Sequence, residues 1–147
     1  MSRRYTISIF ILGLILGLFF IPNPWAEPDR LKIETMGTIA KVELALESYR
    51  IKFGKYPFTE IPEYDLSNEH SIPLINELKK FEDIEYPIQD RWGNSIYIIP
   101  SKFYPGSSKA RKKSNSLYYN ARTFQIISFG PDGTETPEDN VCNFVET

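Results

Sequence analysis

The sequence predicts an α+β protein in which an N-terminal membrane segment and a long helix are followed by a small C-terminal antiparallel sheet, with the helix packed on the sheet. Three observations lead there. An uncharged run from Thr6 to Ile21 follows Arg3 and Arg4, apolar residues then recur at helical spacing from Asp29 to Phe53, and the C-terminal half holds short Ile-, Tyr- and Phe-rich runs separated by turn residues. With 147 residues, 41% hydrophobic and 24% charged, the chain has room for one compact domain plus an appendage. Seventeen Lys and Arg against nineteen Asp and Glu leave a net charge of -2, which supplies no global field for nucleic acid. One Cys and one His exclude an internal disulfide, a Cys/His zinc site and most catalytic triads; His70, among Asn68, Glu69 and Ser71, reads as a surface residue. No enzyme is expected.

The apolar run Thr6 to Ile21 has 16 residues. As a helix it is about 24 Å long, short of the ~30 Å hydrocarbon core unless Tyr5, Pro22 and Trp25 extend it into the interfaces. Two readings stand: an uncleaved anchor, and a signal peptide cut near Ala26, for which Pro24 is an unsuitable residue. Either way the two arginines stay inside. The division is residues 1–26 as anchor or signal and residues 27–147 as a domain on the outer side of the membrane.

Within Asp29 to Phe53, Ile33, Met36, Ile39, Val42, Leu46, Tyr49 and Phe53 recur at steps of three and four, and Gly54 sits where a helix cap is wanted. This stripe is expected to pack on the protein's own sheet, with Pro22, Pro24 and Pro28 kinking or interrupting the chain before it. Residues 55–91, punctuated by Pro57, Pro62, Pro73 and Pro87, read as a wrapping loop with a short helix at Leu74 to Phe81. Strands are expected at Ser95 to Ile99, Ser116 to Tyr119 and Thr123 to Ser128. Between the first two, Lys102 to Lys113 reads as a solvated basic loop, with contact to anionic lipid or an acidic partner as the sharper alternative.

The tail runs Ser128-Phe129-Gly130-Pro131-Asp132-Gly133-Thr134 and continues to Glu135, Glu138, Asp139, Asn140 and Val141. Pro-Asp-Gly alone predicts a tight turn. Oxygen-bearing residues return seven positions after Asp132, however, and two glycines let the backbone curl. Such a loop can collect the six to eight oxygens that a hard divalent cation needs. The spacing is not that of an EF-hand, and a solvated acidic turn stays open as the other reading.

In order, the landmarks are an apolar segment ending Ile21-Pro22-Asn23, a helix ending Leu44-Ala45-Leu46-Glu47-Ser48-Tyr49-Arg50, then Gly54-Lys55-Tyr56-Pro57, Asp90-Arg91-Trp92-Gly93-Asn94, and Ser128-Phe129-Gly130-Pro131-Asp132-Gly133. In this order they resemble the major, G-type pseudopilin of bacterial type II secretion, a relative of type IV pilins. The resemblance implies a pilin-like fold and a structural role in a secretion or pilus-like assembly, anchored in the inner membrane with a periplasmic C-terminal domain. Other pseudopilins or secretion-system subunits would be its partners, and neither nucleic acid nor a small-molecule substrate is implied. It further implies a calcium ion held by the carboxylates of Asp132 and Asp139, main-chain oxygens of Phe129 and Thr134, and the side chain of Asn140. Trp92 is expected to fill core behind that loop.

Family members begin with a leader ending in Gly and a mature start of the Phe-Thr-x-x-Glu type, whereas the matching stretch here reads Met1-Ser2-Arg3-Arg4-Tyr5. Two arginines without that carboxylate at a filament axis are costly to bury. The expectation is therefore that either the true start lies upstream or a divergent pseudopilin-like chain keeps its anchor and does not polymerise in the usual way. The alternative function is a stand-alone anchored or exported calcium-stabilised binding domain, periplasmic or secreted if the signal is cleaved.

Overall fold

The computed structural model describes residues 26–113, 115–134 and 140–144; the apolar run, with both readings of it, lies outside these residues. The described chain is α+β, a long N-terminal helix on a four-stranded antiparallel sheet. Helix α1 spans Ala26–Phe53, 28 residues or about 42 Å. Glu27 and Asp29 in its first turn and Arg50 and Lys52 in its last complement the helix dipole. Pro28 does not interrupt it, contrary to expectation, because a first-turn residue needs no intrahelical N–H bond. Gly54, at φ +74°, ends the helix, and its N–H closes onto the Arg50 carbonyl at 2.8 Å. Among the described residues, no helix is long and apolar enough to cross a membrane.

The expected stripe packs only in part. Ile39, Val42 and Leu46 are buried and Tyr49 half-buried, whereas Ile33 is 68% exposed and Met36 and Phe53 are also exposed. The cause is the spacing. Steps averaging about 3.3 residues fall short of the 3.6-residue turn, so the row winds about 160° around the helix between its ends. The face that packs is Thr35, Ile39, Val42, Leu46 and Tyr49, at steps of 4, 3, 4 and 3. Opposite it runs a second row, Ile33, Gly37, Ala40, Leu44 and Ile51, all exposed.

After α1 the chain forms β1 (Tyr64–Asp65), a 3-10 turn at Glu69–Ser71 and helix α2 (Ile72–Leu78). Strands β2 (Ile96–Pro100) and β3 (Phe124–Ser128) pair along five positions, from Ile96 opposite Ser128 to Pro100 opposite Phe124. The edges are short: β1 adds two residues to β2, and β4 (Val141–Cys142) adds two to β3. Neither edge strand is foreseen by sequence pattern, since two residues make no alternation. Ser116 to Tyr119 is not a strand, against expectation. Ser116 (φ 66°) and Asn120 (φ 47°) turn the chain at either end, and only Tyr118 makes a bridge, to Lys112. His70 is exposed, with its N–H capped by Asn68 at 3.0 Å.

Alternation divides the core into two layers. Ile96, Ile98, Phe124 and Ile126 meet Ile39, Val42 and Leu46 of α1 and Leu74, Ile75 and Leu78 of α2, with Trp92 packed against this layer as expected. On the other face Ile99, Ile127 and Phe129 lie under Tyr104 and Tyr118, so the segment read as a solvated loop roofs the sheet. Two polar ties brace the helix side. The Asn143 amide donates to Glu43 at 3.0 Å, and the Tyr56 hydroxyl donates to Glu47. Burial first, and then the bond to Glu47, push the Tyr56 phenol up to about 12.

Gln125 holds the roof. Fully buried in β3, it accepts from the Arg111 N–H at 2.7 Å and donates to the carbonyls of Arg111 and Tyr119, both at 2.9 Å. Gln125→Leu keeps the bulk but removes the bonds to the Arg111 N–H and to the carbonyls of Arg111 and Tyr119, of which the Arg111 carbonyl keeps the Tyr119 N–H at 3.3 Å. Urea denaturation is expected to show a loss of about 3 kcal/mol, since each unsatisfied buried group costs ~1–3 kcal/mol. A loss below about 0.5 kcal/mol, the level of an ordinary surface substitution, would mean the roof is held by its aromatic rings alone.

Candidate functional site

The segments Asp90 to Asn94 and Ser128 to Gly133, distant in sequence, are bonded to each other in the fold. The Asp90 carboxylate is 5% exposed and accepts three hydrogen bonds. Its Oδ1 takes the N–H groups of Trp92 at 3.0 Å and Asn94 at 2.8 Å, which folds its own loop; its Oδ2 takes the Ser128 hydroxyl at 2.7 Å. Ser128 Oγ in turn accepts from the Gly130 N–H at 3.2 Å, and the Asn94 amide donates to the Gly130 carbonyl at 2.7 Å. Each segment thus satisfies polar groups that the other would leave buried and unpaired.

Glycines are required at the contact. Gly93 lies at φ +87°, where the loop reverses between Trp92 and Asn94. Gly133 lies at φ +65°, and a Cβ there would stand 3.0 Å from Asn94 Oδ1. The same loop reaches α1: the Arg91 N–H donates to the buried Thr35 hydroxyl at 3.1 Å, and its guanidinium meets Glu34 at 3.1 Å. Glu34 also pairs with Arg30 at 2.8 Å, and Arg30 with Glu27. The Glu27 carboxyl is held below the ordinary carboxylate range by the hydrogen bond and charge of Arg30. The C-terminal turn is therefore tied, through one buried carboxylate and one loop, to the first half of the long helix.

The five residues assigned to a cation are placed unequally. Phe129 is buried at the end of β3, its ring 5.4 Å from Tyr97 and 5.8 Å from the Arg111 guanidinium. Asp132 and Thr134 are exposed in the turn; Asp132 Oδ1 accepts the Thr134 N–H at 2.9 Å and Oδ2 its hydroxyl at 2.6 Å. Asn140 is half-buried just before β4. Continued one step beyond Ser128 opposite Val141, the β3–β4 register sets it across from Phe129. Asp139 lies outside the described residues. The donor set is all oxygen, which suits a hard cation, and the hairpin register returns one end of the set to the other. Among the described residues no group of three His, Cys, Asp or Glu converges.

Asp90, Asn94, Ser128 and Thr35 form the structural centre of this region and are not among the residues assigned from sequence. The signal for the first three was present in the two motifs, which name them as recurring partners without saying what they touch. Compared with family models, with curated proteins and with solved structures, the chain matches none.

Asp90→Ala should cost about 3 kcal/mol in urea denaturation, since three donors lose a charged acceptor, and Ser128→Ala about 1 kcal/mol. Because the two side chains bond each other, the double variant should lose less than the sum by at least about 0.5 kcal/mol. Strict additivity would show that the Asp90–Ser128 bond does not couple the two segments.

Proposed function

We propose that this chain is a pseudopilin-like structural subunit of a type II secretion or related pilus-like assembly, held in the inner membrane by its apolar N-terminus with the folded domain in the periplasm. The observation that carries this reading is the second apolar row of α1. A helix that serves only its own sheet needs one apolar face. Here Ile33, Gly37, Ala40, Leu44 and Ile51 recur at steps of 4, 3, 4 and 7 on the side away from the sheet, the spacing with which helices pack along a seam. The bonding of the Asp90 and Ser128 motifs to one another supports the same reading, because those motifs carry the resemblance. A photo-reactive residue in place of Leu44 is expected to trap other single-span, helix-bearing subunits in native membranes. Adducts to unrelated soluble proteins, or none, would favour the stand-alone binding domain.

The C-terminal loop is proposed to bind one calcium ion through Asp132, Asp139, Asn140 and the main-chain oxygens of Phe129 and Thr134. Asp132 would release Thr134 or share its remaining lone pairs. One amide in place of a third carboxylate lowers the charge at the site and hence the affinity. Calcium bound only to the folded state adds RT ln(1 + [L]/Kd), about 2.7 kcal/mol at a hundredfold excess over Kd. In non-ionic detergent, calcium is expected to raise the melting midpoint of the full chain over that in chelator. Asp132→Ala should abolish the rise, and Asn140→Asp should respond at lower calcium. Equal midpoints for the wild type in calcium and chelator would leave a plain acidic turn.

A further inference from the structure

Charge along this chain is segregated by stretch. From Tyr56 to Leu78 there are five carboxylates and no Lys or Arg, while from Arg91 to Pro131 there are seven Lys and Arg and no Asp or Glu. The fold joins the two stretches at one edge of the sheet. Lys102 pairs with Glu60 at 2.9 Å and Lys109 with Glu63 at 2.6 Å, both on the segment that leads into the edge strand β1.

From there the basic stretch crosses the roof face to the other edge. Lys109 lies over the Tyr97 ring of β2 at 4.8 Å, the Arg111 N–H donates to Gln125 of β3, and Tyr119 stacks on Phe144, just past β4, at 4.5 Å. The crossing ends in a turn, where the Ser116 N–H donates to the Lys113 carbonyl at 2.9 Å and the Lys113 N–H to the Leu117 carbonyl at 2.7 Å. Leu117 at this tip is 62% exposed. Lys112 and Lys113 lie over Tyr118 and Tyr119 at 4.9 and 5.4 Å, which keeps their ammonium groups beside the leucine. Neither lysine has a carboxylate partner among the described residues.

What would match this tip stands at the opposite edge. Beside β1 lies a hollow of about 430 Å³ whose lining is mainly apolar and includes no Lys or Arg and no residue of β2. Ile61, 36% exposed, supplies apolar surface, and Glu63 and Asp65 line the hollow as well. Tyr64 joins the helix-side core, so alternation turns Asp65 to the roof face, the face that the basic stretch crosses. Asp65 and Glu69 have no ion-pair partner among the described residues. Tyr64 pairs with Ile98, Ile98 with Ile126, and the Asn143 N–H donates to the Ile126 carbonyl, one residue before the Phe144 ring on which Tyr119 rests. Tip and hollow therefore stand at one level, at opposite edges of a sheet four strands wide.

We propose that a second copy of this chain completes the match: Leu117 of one copy seats against Ile61 in the hollow of the next, while Lys112 and Lys113 reach Asp65 and Glu69. A sideways shift along the sheet, without rotation, is the movement that brings them together. A contact between two different surfaces is head-to-tail and propagates into a row rather than closing a two-fold dimer. It repeats between copies the pairing of basic and acidic stretches that Lys102 and Lys109 make within one. It requires neither the calcium loop nor the outer row of α1. With a small area and exposed charges the contact is weak, and it gains effect when the copies share a membrane surface.

The test is zero-length carbodiimide cross-linking of the full chain in non-ionic detergent, with isotopically light and heavy protein mixed and the adducts mapped by mass spectrometry. Adducts of Lys102 to Glu60 and of Lys109 to Glu63 should hold a single isotope only and serve as the intrachain standard. Expected besides are mixed-isotope adducts joining Lys112 or Lys113 to Asp65 or Glu69. Their yield should fall about tenfold in 1 M salt, where the screening length shrinks to ~3 Å. Leu117→Asp and Ile61→Lys keep all four reacting groups, yet each alone should lose the mixed-isotope adducts; Glu69→Lys, at an exposed position, is a second variant of the hollow, read at Asp65. An equimolar mixture of light Leu117→Asp and heavy Ile61→Lys should recover them in one direction, heavy lysine to light carboxylate, since each variant retains one native half. Wild-type melting midpoints in the variants establish that the losses are not unfolding. Adducts of Lys112 or Lys113 that hold a single isotope only, mixed-isotope adducts elsewhere, or failure of the mixture to recover them overturns the proposal. So does a tip that yields no mixed-isotope adduct yet loses its salt-sensitive binding to phosphatidylglycerol vesicles in Leu117→Asp, which would make it a membrane contact instead.

Discussion

A single buried carboxylate joins the loop before β2 to the end of β3, and that loop in turn is bonded to the long helix. Burying Asp90 is costly unless its oxygens are well supplied with donors. Two donors come from its own loop and the third from the end of β3, 38 residues on. The same loop supplies the N–H that satisfies Thr35 within α1. A change at Asp90 therefore reaches the helix, the middle of the sheet and the C-terminal turn together, although the carboxylate touches no residue assigned to the cation.

The sheet is the second constraint. With helices on one face and the aromatic roof on the other, β2 and β3 are buried on both sides, so every residue of β3 is buried, Gln125 and Ser128 included. Polar groups in such a strand must find partners across the sheet, and these two do so in opposite directions. Gln125 secures the roof, and Ser128 secures the loop beside the helix. The basic segment Lys102 to Lys113 is consequently part of the core assembly through Tyr104 and Ala110, while Lys102, Pro105, Gly106, Ser108, Lys112 and Lys113 stay exposed.

The helix, the two long strands and the turn after β3 were legible because periodicity, β-branched and aromatic runs, and glycine spacing act locally. The phase of the helix was not. A row of apolar side chains stepping from Ile33 to Phe53 looks continuous on paper, but a helix turns more slowly than that row steps, and only the 4-3-4-3 set from Thr35 to Tyr49 stays on the sheet. Thr35 was invisible as an inner residue because its hydroxyl is satisfied by a loop 56 residues away. The Ser116 to Tyr119 run has strand composition, yet its backbone turns at Ser116 and Asn120 and a Gln125 amide takes the Tyr119 carbonyl, so its pairing stops at a single bridge, to Lys112. Of the cation loop, the sequence showed the oxygen donors and the glycines, while the register that returns Asn140 toward Phe129 depends on a two-residue strand too short to carry a pattern.

The tie between Glu43 and Asn143 spans one hundred positions. In any N-to-C delivery of this chain, α1 arrives first and the strand and side chain that brace it arrive last. Chain elongation at roughly 5–20 residues per second sets an interval of about 5–20 seconds for those hundred residues. Through most of that interval the inner apolar row of α1 stands without its sheet, and the outer row, which faces away from the sheet, is uncovered as well. The protein's most vulnerable state thus belongs to its biogenesis: a helix with two hydrophobic faces, waiting in the open, is a substrate for holding chaperones and for proteases before it is a part of anything built.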